Sequence, residues 1–128
     1  MDTTANMLIS LKNGGNAGKQ TIFVPFSKFS SEIAKTLFQA GFIASYAKKS
    51  RAKGDVLELG IHYHQSQPKI TDVRRVSKSS RRVYLGVQDV KPVKNGRGLL
   101  VLSTPKGILT GEQARAEHVG GEALFEIW

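Results

Sequence analysis

Ile22-Phe23-Val24-Pro25-Phe26-Ser27 sets a strand, its stop and the cap of a following helix side by side. Three residues of high β propensity run into a proline, which has no N–H to give to a strand ladder. Ser27 offers a side-chain oxygen to the open amides of a helix start. From there the apolar period changes: Phe29, Ile33, Leu37 and Ala40 recur at helical spacing, and Gly41 supplies the exit. The expectation is a short buried strand at Ile22–Val24 and a helix from Ser27 to Ala40.

Upstream, Thr3 or Thr4 is placed to cap a first helix running to about Asn13, with Ala5, Met7, Leu8, Ile9 and Leu11 as its apolar side. Gly14-Gly15-Asn16-Ala17-Gly18 is expected to end it through the positive φ that glycine adopts freely. Downstream, strands are predicted over Phe42–Lys48 and Val56–Tyr63, joined by the polar, glycine-bearing Lys49–Asp55 turn. Val56, Glu58 and Gly60 alternate with Leu57, Leu59 and Ile61, the period of a half-buried strand. The polar, proline-bearing Gln65–Pro68 reads as a boundary. Beyond it Lys69–Ser77, Arg81–Gly86, Leu99–Ser103 and Glu122–Trp128 are strand-like, and Thr110 with Gln113 three residues on opens one short helix by a capping box. The predicted fold is α/β in the broad sense (α+β), with two small subdomains. Residues 1–66 form an N-terminal α-β-α-β-β part, and residues 67–128 form a C-terminal part that is mostly β.

The chain of 128 residues carries 19 Lys and Arg against 10 Asp and Glu, a formal charge of +9, and no cysteine. Disulfide scaffolds, thiol catalysis and cysteine zinc sites are therefore excluded. No apolar run approaches the ~18 residues of a membrane span, and no membrane partner is expected. Met1-Asp2-Thr3-Thr4 shows no basic region followed by an apolar stretch, so no secretory signal is expected; a processed transit peptide would leave no trace here. Polyanions are the natural partners of such a charge. It is uneven: from Lys69 to Arg97 nine basic residues face only Asp72 and Asp89. Any short charge run can be a solvated face. Here Arg74-Arg75, Lys78 and Arg81-Arg82 fall together with Tyr84 just after. Guanidinium groups of Arg81 and Arg82 neutralise phosphates and an exposed aromatic stacks on an unpaired base, which favours RNA; charge alone does not separate RNA from DNA.

The patterns that suggest catalysis or metal are weak. Ser103-Thr104-Pro105-Lys106 matches the Ser-x-x-Lys of some acyl-transfer enzymes, but the companion Ser-Asp-Asn and Lys-Thr-Gly elements are missing and the chain is too short. His62 and His64 face the same way in a strand, but no third ligand is indicated and they read as surface histidines near a strand end. Gly15-Asn16-Ala17-Gly18 has Gly-x-x-Gly spacing, yet a strand follows it where a KH clamp needs a helix. Gly96-Arg97-Gly98 is a lone Gly-x-Gly, and no Walker A pattern occurs. No enzyme activity, cofactor, metal site or catalytic residue is expected. Ser103-Thr104-Pro105-Lys106-Gly107 is more informative as a loop after the apolar strand Leu99–Leu102. Small hydroxyls approach a nucleic-acid surface closely, lysine attracts phosphate, and glycine removes the Cβ; an ordinary turn has the same composition.

Taken in order, these pieces resemble the S-eight family of bacterial-type ribosomal proteins of the small subunit. The resemblance rests on Ala5-Asn6-Met7-Leu8 to Lys12-Asn13-Gly14, Val24-Pro25 with Ser27-Lys28, and Gly41-Phe42-Ile43. It continues through Arg75-Val76-Ser77-Lys78 to Arg81-Arg82-Val83-Tyr84, then Gly96-Arg97-Gly98-Leu99 and Ser103–Gly107. Thr110 with Ala114-Arg115 and Gly120-Gly121-Glu122 complete it. It implies a two-part α/β protein that binds a helix of the central domain of small-subunit rRNA at an irregular internal loop. It further implies an early assembly step at the subunit platform that organises neighbouring small-subunit proteins, and binding of a similar shape in its own messenger RNA. By position, Ser103, Thr104, Lys106 and Gly107 match the loop that meets the RNA, Tyr84 the tyrosine that packs near it, and Glu122 a residue that braces the loop. Lys12, Asn13 and Lys28 match the N-terminal contacts to the sugar-phosphate backbone. Pro105 stands where a third small hydroxyl residue is usual, removing a hydroxyl and a backbone donor. Ser10 and Lys12 stand where arginines are common. The expected function is a structural rRNA-binding protein of the small subunit, located on a cytoplasmic or an organellar ribosome. A free-standing RNA-binding translational regulator is the alternative.

Overall fold

A computed structural model describes residues 3–128; Met1 and Asp2, which open the stretch read for a signal, lie outside the described residues. The chain forms two compact units, Met1–Thr71 and Asp72–Trp128. Helices and antiparallel strands occur in both, the mixed α+β class expected.

In the first unit, helix α1 (Thr3–Asn16), strand β1 (Thr21–Pro25), helix α2 (Lys28–Gln39), strand β2 (Ile43–Lys49) and strand β3 (Val56–Ile61) follow the α-β-α-β-β order. The antiparallel sheet runs β1-β3-β2. Ile22 and Val24 of β1 and Leu57, Leu59 and Ile61 of β3 are buried, as are Met7, Leu8 and Leu11 of α1 and Ile33, Ala34 and Leu37 of α2. Ser27 caps α2 as predicted. Its hydroxyl accepts from the Ser30 amide, the Ser30 hydroxyl accepts from the Ser27 amide, and Gly41 leaves with φ +83°. Four apolar side chains depart from expectation, the exposed Ala40 at the end of α2 among them. Ile9, Phe23 and Phe29 are exposed, and Phe23 keeps 47% of its surface because β1 is half-buried rather than buried.

The glycines after Asn13 act differently from the sequence expectation. Gly14 and Gly15 lie inside α1, and only Gly18 has positive φ (+72°). A Cβ on Gly14 would stand 2.7 Å from Cγ2 of Ile22, and one on Gly15 would stand 3.1 Å from Cβ of Pro68. The pair is therefore a close-approach surface of the helix against its neighbours. Thr3 and Thr4 are within the helix, not its cap. Gln65-Ser66, read as boundary, is the turn of a small hairpin between β4 (Tyr63–His64) and β5 (Gln67–Pro68), both turn residues having positive φ. That pairing keeps Gln67 and Pro68 with the first unit. His62 donates its Nδ1–H to the Gly41 carbonyl at 2.8 Å, a structural role.

The second unit is organised on strand β10 (Gly121–Ile127). On one side it pairs with β8 (Leu99–Thr104), which in turn pairs with β9 (Gly107–Thr110). It also pairs with β6 (Val73–Arg75) through Phe125–Ile127, and with β7 (Tyr84–Leu85) through Gly121–Glu122. The strands predicted over Lys69–Ser77 and Arg81–Gly86 thus shrink to these two short pieces. Helix α3 (Gly111–Ala116) starts at Thr110 with the predicted capping box to Gln113. Val90, Val93, Leu100, Leu102, Ala114 and Ala123 form one buried cluster.

Replacing Gly14 by alanine should gain up to ~1 kcal/mol of helix propensity but force a methyl against a branched side chain, an overpacking cost of about 1–3 kcal/mol. The expected outcome is a net loss of stability in urea unfolding. Equal or greater stability would show that α1 can back away from Ile22.

Candidate nucleic-acid interface

Strand register brings together residues that are far apart in sequence. Glu122 is opposite Ser103 on one neighbour and opposite Tyr84 on the other, and Ser103 is opposite Ile108. Directly opposed residues of antiparallel strands project from the same face. Tyr84, Glu122 and Ser103 therefore form one transverse row. Tyr84 keeps 70% of its surface exposed, an orientation open to stacking.

The two glycines before Glu122 make this row possible. A Cβ on Gly120 would run into the Leu85 carbonyl and one on Gly121 into the Ser103 carbonyl, both backbone atoms that cannot step aside. Glycine at these positions lets β10 enter between β7 and β8. A bulge then follows: Ala123 is opposite Leu102 and Phe125 is opposite Val101, so Leu124 is the extra residue. Ala123, Leu124 and Phe125 are consequently all buried, against the alternation of a regular strand.

The basic segment is an excursion from the edge of β10. The Val76 amide donates to the Leu124 carbonyl, and the Ala123 amide donates to the Val83 carbonyl, so the chain leaves and rejoins the same strand. Buried Ser77 closes the excursion: its hydroxyl accepts from the Val83 amide at 2.8 Å and donates to the Val83 carbonyl at 3.2 Å. Lys78 and Arg81 exchange backbone hydrogen bonds across Ser79-Ser80, and the exposed Lys78, Arg81 and Arg82 stand on this turn. Arg82 donates from Nη1 to the Glu122 carboxylate at 3.1 Å and 3.4 Å, and Arg74 to that of Glu126 at 3.2 Å. Two glutamates of β10 thus each hold one arginine of the flanking segments. Glu122 acts on Arg82 in this structure, besides lying beside Ser103. Ser77 was missed by sequence reasoning, because a serine that staples a turn carries no periodic signal.

Pro105-Lys106 is the tip of the β8–β9 hairpin, and the β9 strand beyond it was not predicted. The Thr104 hydroxyl donates to the Gly107 carbonyl at 2.8 Å and accepts from the Lys106 amide at 3.1 Å. It closes the hairpin and retains one lone pair for a further donor. Ser103 has no side-chain partner among the described residues, so its half-buried hydroxyl is free in both roles. Gly107 has φ +111°, a conformation that requires glycine. Lys106 pairs with Glu117 at 3.1 Å, both exposed, an attachment worth ~0–1 kcal/mol and easily exchanged for a phosphate.

Of the predicted residues, Ser103, Thr104, Lys106, Gly107, Tyr84, Glu122, Arg81 and Arg82 all belong to the second unit, around β10 and its neighbours. Lys12, half-buried on α1, and the exposed Asn13 and Lys28 belong to the first. A cavity of about 330 Å³ lined by Val90, Val93, Leu100 and Arg115 includes none of them. The predicted residues lie at the surface, exposed or half-buried, apart from this cavity. No group of three or more His, Asp or Glu residues able to hold a metal occurs among the described residues, and no helix of these residues is long and apolar enough to cross a membrane.

The family described as Ribosomal protein S8 matches residues 2–128. The chain is similar to the small ribosomal subunit protein uS8 of Erythrobacter litoralis, 36% identical over 99% of this chain and 97% of the relative. It is similar to that of Mycoplasmopsis agalactiae at 35% and of Ruminiclostridium cellulolyticum at 37%, with the same coverage. A whole-chain family match and relatives above 30% identity place the chain in the ribosomal protein S8 family.

Proposed function

We propose that the protein is a structural constituent of the small ribosomal subunit that binds rRNA directly and performs no catalytic step. The observation that carries this reading is the row Tyr84–Glu122–Ser103, flanked by the Arg82 turn on one side and the Thr104–Gly107 hairpin on the other. It sets a stacking ring, a free hydroxyl and fixed guanidinium charge on one exposed surface. An irregular RNA helix offers matching groups: unstacked bases, 2′-hydroxyls on a wide minor groove, and phosphates. Within that reading the target is an internal loop in the central domain of small-subunit rRNA, where the protein supports platform assembly beside neighbouring proteins. Lys12, Asn13 and Lys28 add backbone contacts from the first unit. The messenger RNA encoding the protein, folded into a similar shape, is a further proposed ligand. Its place is the ribosome, cytoplasmic or organellar.

Two chemistries act here. Ser103 and Thr104 make short-range contacts at fixed geometry, whereas Lys106, Arg81 and Arg82 act through screened charge. Glu122 holds the Arg82 guanidinium in place before RNA arrives, which lowers the ordering cost on binding while cancelling part of its charge, so Arg82 acts more through its fixed position than through net attraction. Pro105 limits the hairpin tip in the same sense.

Ser103→Ala should weaken binding to the cognate rRNA helix about five- to a hundredfold, the cost of ~1–3 kcal/mol for an unpaired polar partner, with little change in the salt dependence. Lys106→Ala should do the opposite, with a small loss and a log–log salt slope shallower by about 0.7–0.9. Both are read by titrating the helix and a regular duplex across potassium concentrations. Equal affinity for the two RNAs at every salt would reject specific recognition, and sedimentation away from the small subunit in high magnesium would favour a free-standing regulator.

Thr104→Val removes both hydrogen bonds that close the hairpin, so the Lys106 amide should lose its protection from hydrogen exchange. Stability should fall by roughly 1–2 kcal/mol. Thr104→Ser should restore the protection. An unchanged Lys106 amide in the valine variant would show that the β-ladder alone sets the loop.

A further inference from the structure

We propose a further nucleic-acid contact in the first unit, besides the backbone contacts of Lys12, Asn13 and Lys28: the outer face of its sheet, with the β2–β3 hairpin, stacks an unpaired RNA nucleotide on Phe23. That the ligand is RNA rather than single-stranded DNA rests on the function proposed above; the stacking itself does not.

The inner face of β1-β3-β2 is apolar and buried, carrying Ile22, Val24, Leu57, Leu59 and Ile61. The outer face carries the alternate residues. Its central row is Phe23, Glu58 and Ala47, with Pro25, Val56 and Lys49 on the hairpin side and Thr21, Gly60 and Ser45 on the other. Phe23 therefore stands almost half exposed on a floor of mostly small side chains. About half of the Phe23 surface remains in water, a part that burial within this unit does not use.

The hairpin supplies the complementary charge. Residues 48–55 hold Lys48, Lys49, Arg51 and Lys53 against Asp55 alone. Lys48 pairs with Asp55 at 3.4 Å, which neutralises that carboxylate. Lys49 and Lys53 make no ion pair among the described residues, and the Arg51 guanidinium lies 4.9 Å from the centre of the Phe23 ring. An exposed ring with a guanidinium over it, backed by two unpaired lysines, is what a single strand needs: a π-face for the base and cations for the phosphates on either side of it. Glu58, in the row of Phe23, would repel a phosphate but accept a hydrogen bond from a base amino group, so the base lies over the sheet and the phosphates lie toward the hairpin. A protein partner fits less well, because interface cores are depleted in lysine and this face offers one large apolar side chain.

The test is fluorescence anisotropy of the full chain with a labelled eight-nucleotide oligoadenylate. Phe23→Leu keeps an apolar side chain and removes the π-face. It should lower affinity about five- to a hundredfold, with circular dichroism unchanged. Arg51→Lys keeps the charge and removes the plane, and should give a smaller loss at constant salt slope. Lys49→Gln with Lys53→Gln should make the slope shallower by about 0.7 for each phosphate that is no longer neutralised. Ser103→Ala should bind the oligonucleotide like the parent, so that this contact and the β8–β9 loop can fail separately. Parent-like binding by Phe23→Leu overturns the proposal. It is overturned equally if Phe23→Leu leaves oligonucleotide binding intact but weakens the joining of another protein to a reconstituted small subunit, which would make the face a protein interface.

Discussion

Strand β10 is the constraint on which the second unit depends. It hydrogen-bonds to β8 on one edge and to β6 and β7 in succession on the other. The amides and carbonyls of three otherwise separate segments are satisfied on one seven-residue strand, and buried backbone groups left unpaired are costly. Entry of that strand is possible only because Gly120 and Gly121 present no Cβ to the carbonyls of Leu85 and Ser103. The same strand carries Glu122 and Glu126, which hold Arg82 and Arg74. Folding and presentation of charge are thus one event: the arginines are placed when the sheet closes.

Polar side chains divide between building the surface and being the surface. The Ser77 hydroxyl is spent on the Val83 backbone and that of Thr104 on the hairpin tip. The Ser103 hydroxyl has no such duty and is available to a ligand. The distinction cannot be drawn from residue type, since three small hydroxyl side chains of the same unit have different roles set by their partners. It also separates two meanings of importance in this protein. Loss of the Thr104 hydroxyl would break two hydrogen bonds that shape the loop, whereas loss of the Ser103 hydroxyl would break none among the described residues.

The two units offer surfaces of different character. In the second, rigid strands place a hydroxyl, a ring and a paired guanidinium at fixed positions, which suits reading of an RNA shape. In the first, the proposed contact rests on a basic hairpin and the exposed Phe23, an attraction and a stacking surface that tolerate any base. A chain of net charge +9 with ten acidic residues does not present a uniform field. Glu122, Glu126 and Asp55 each pair with one cation, Arg82, Arg74 and Lys48 respectively.

Local chemistry determined what local chemistry can. Ser27 and Thr110 were legible as helix caps because a cap is a hydrogen bond within three residues. The α-β-α-β-β order followed from the change of apolar period between Ile22 and Leu37, and the hydroxyl-lysine-glycine loop was legible as a turn after an apolar strand. Arg81, Arg82, Tyr84 and the Ser103–Gly107 loop stood out by charge and composition, whereas Glu122, Lys12, Asn13 and Lys28 could be named only as matches to a family pattern; the assembly of Tyr84, Glu122 and Ser103 into a row required the register of β7, β8 and β10. Register is a property of pairs of strands distant in sequence, set by which backbones can approach. For the same reason Gly14 and Gly15 were misread as a helix exit when they are a contact surface, and the bulge at Leu124 hid behind an apolar run. A missing Cβ looks the same in the sequence whether it frees a torsion angle or makes room for another strand. Only the tertiary structure shows what would occupy the space.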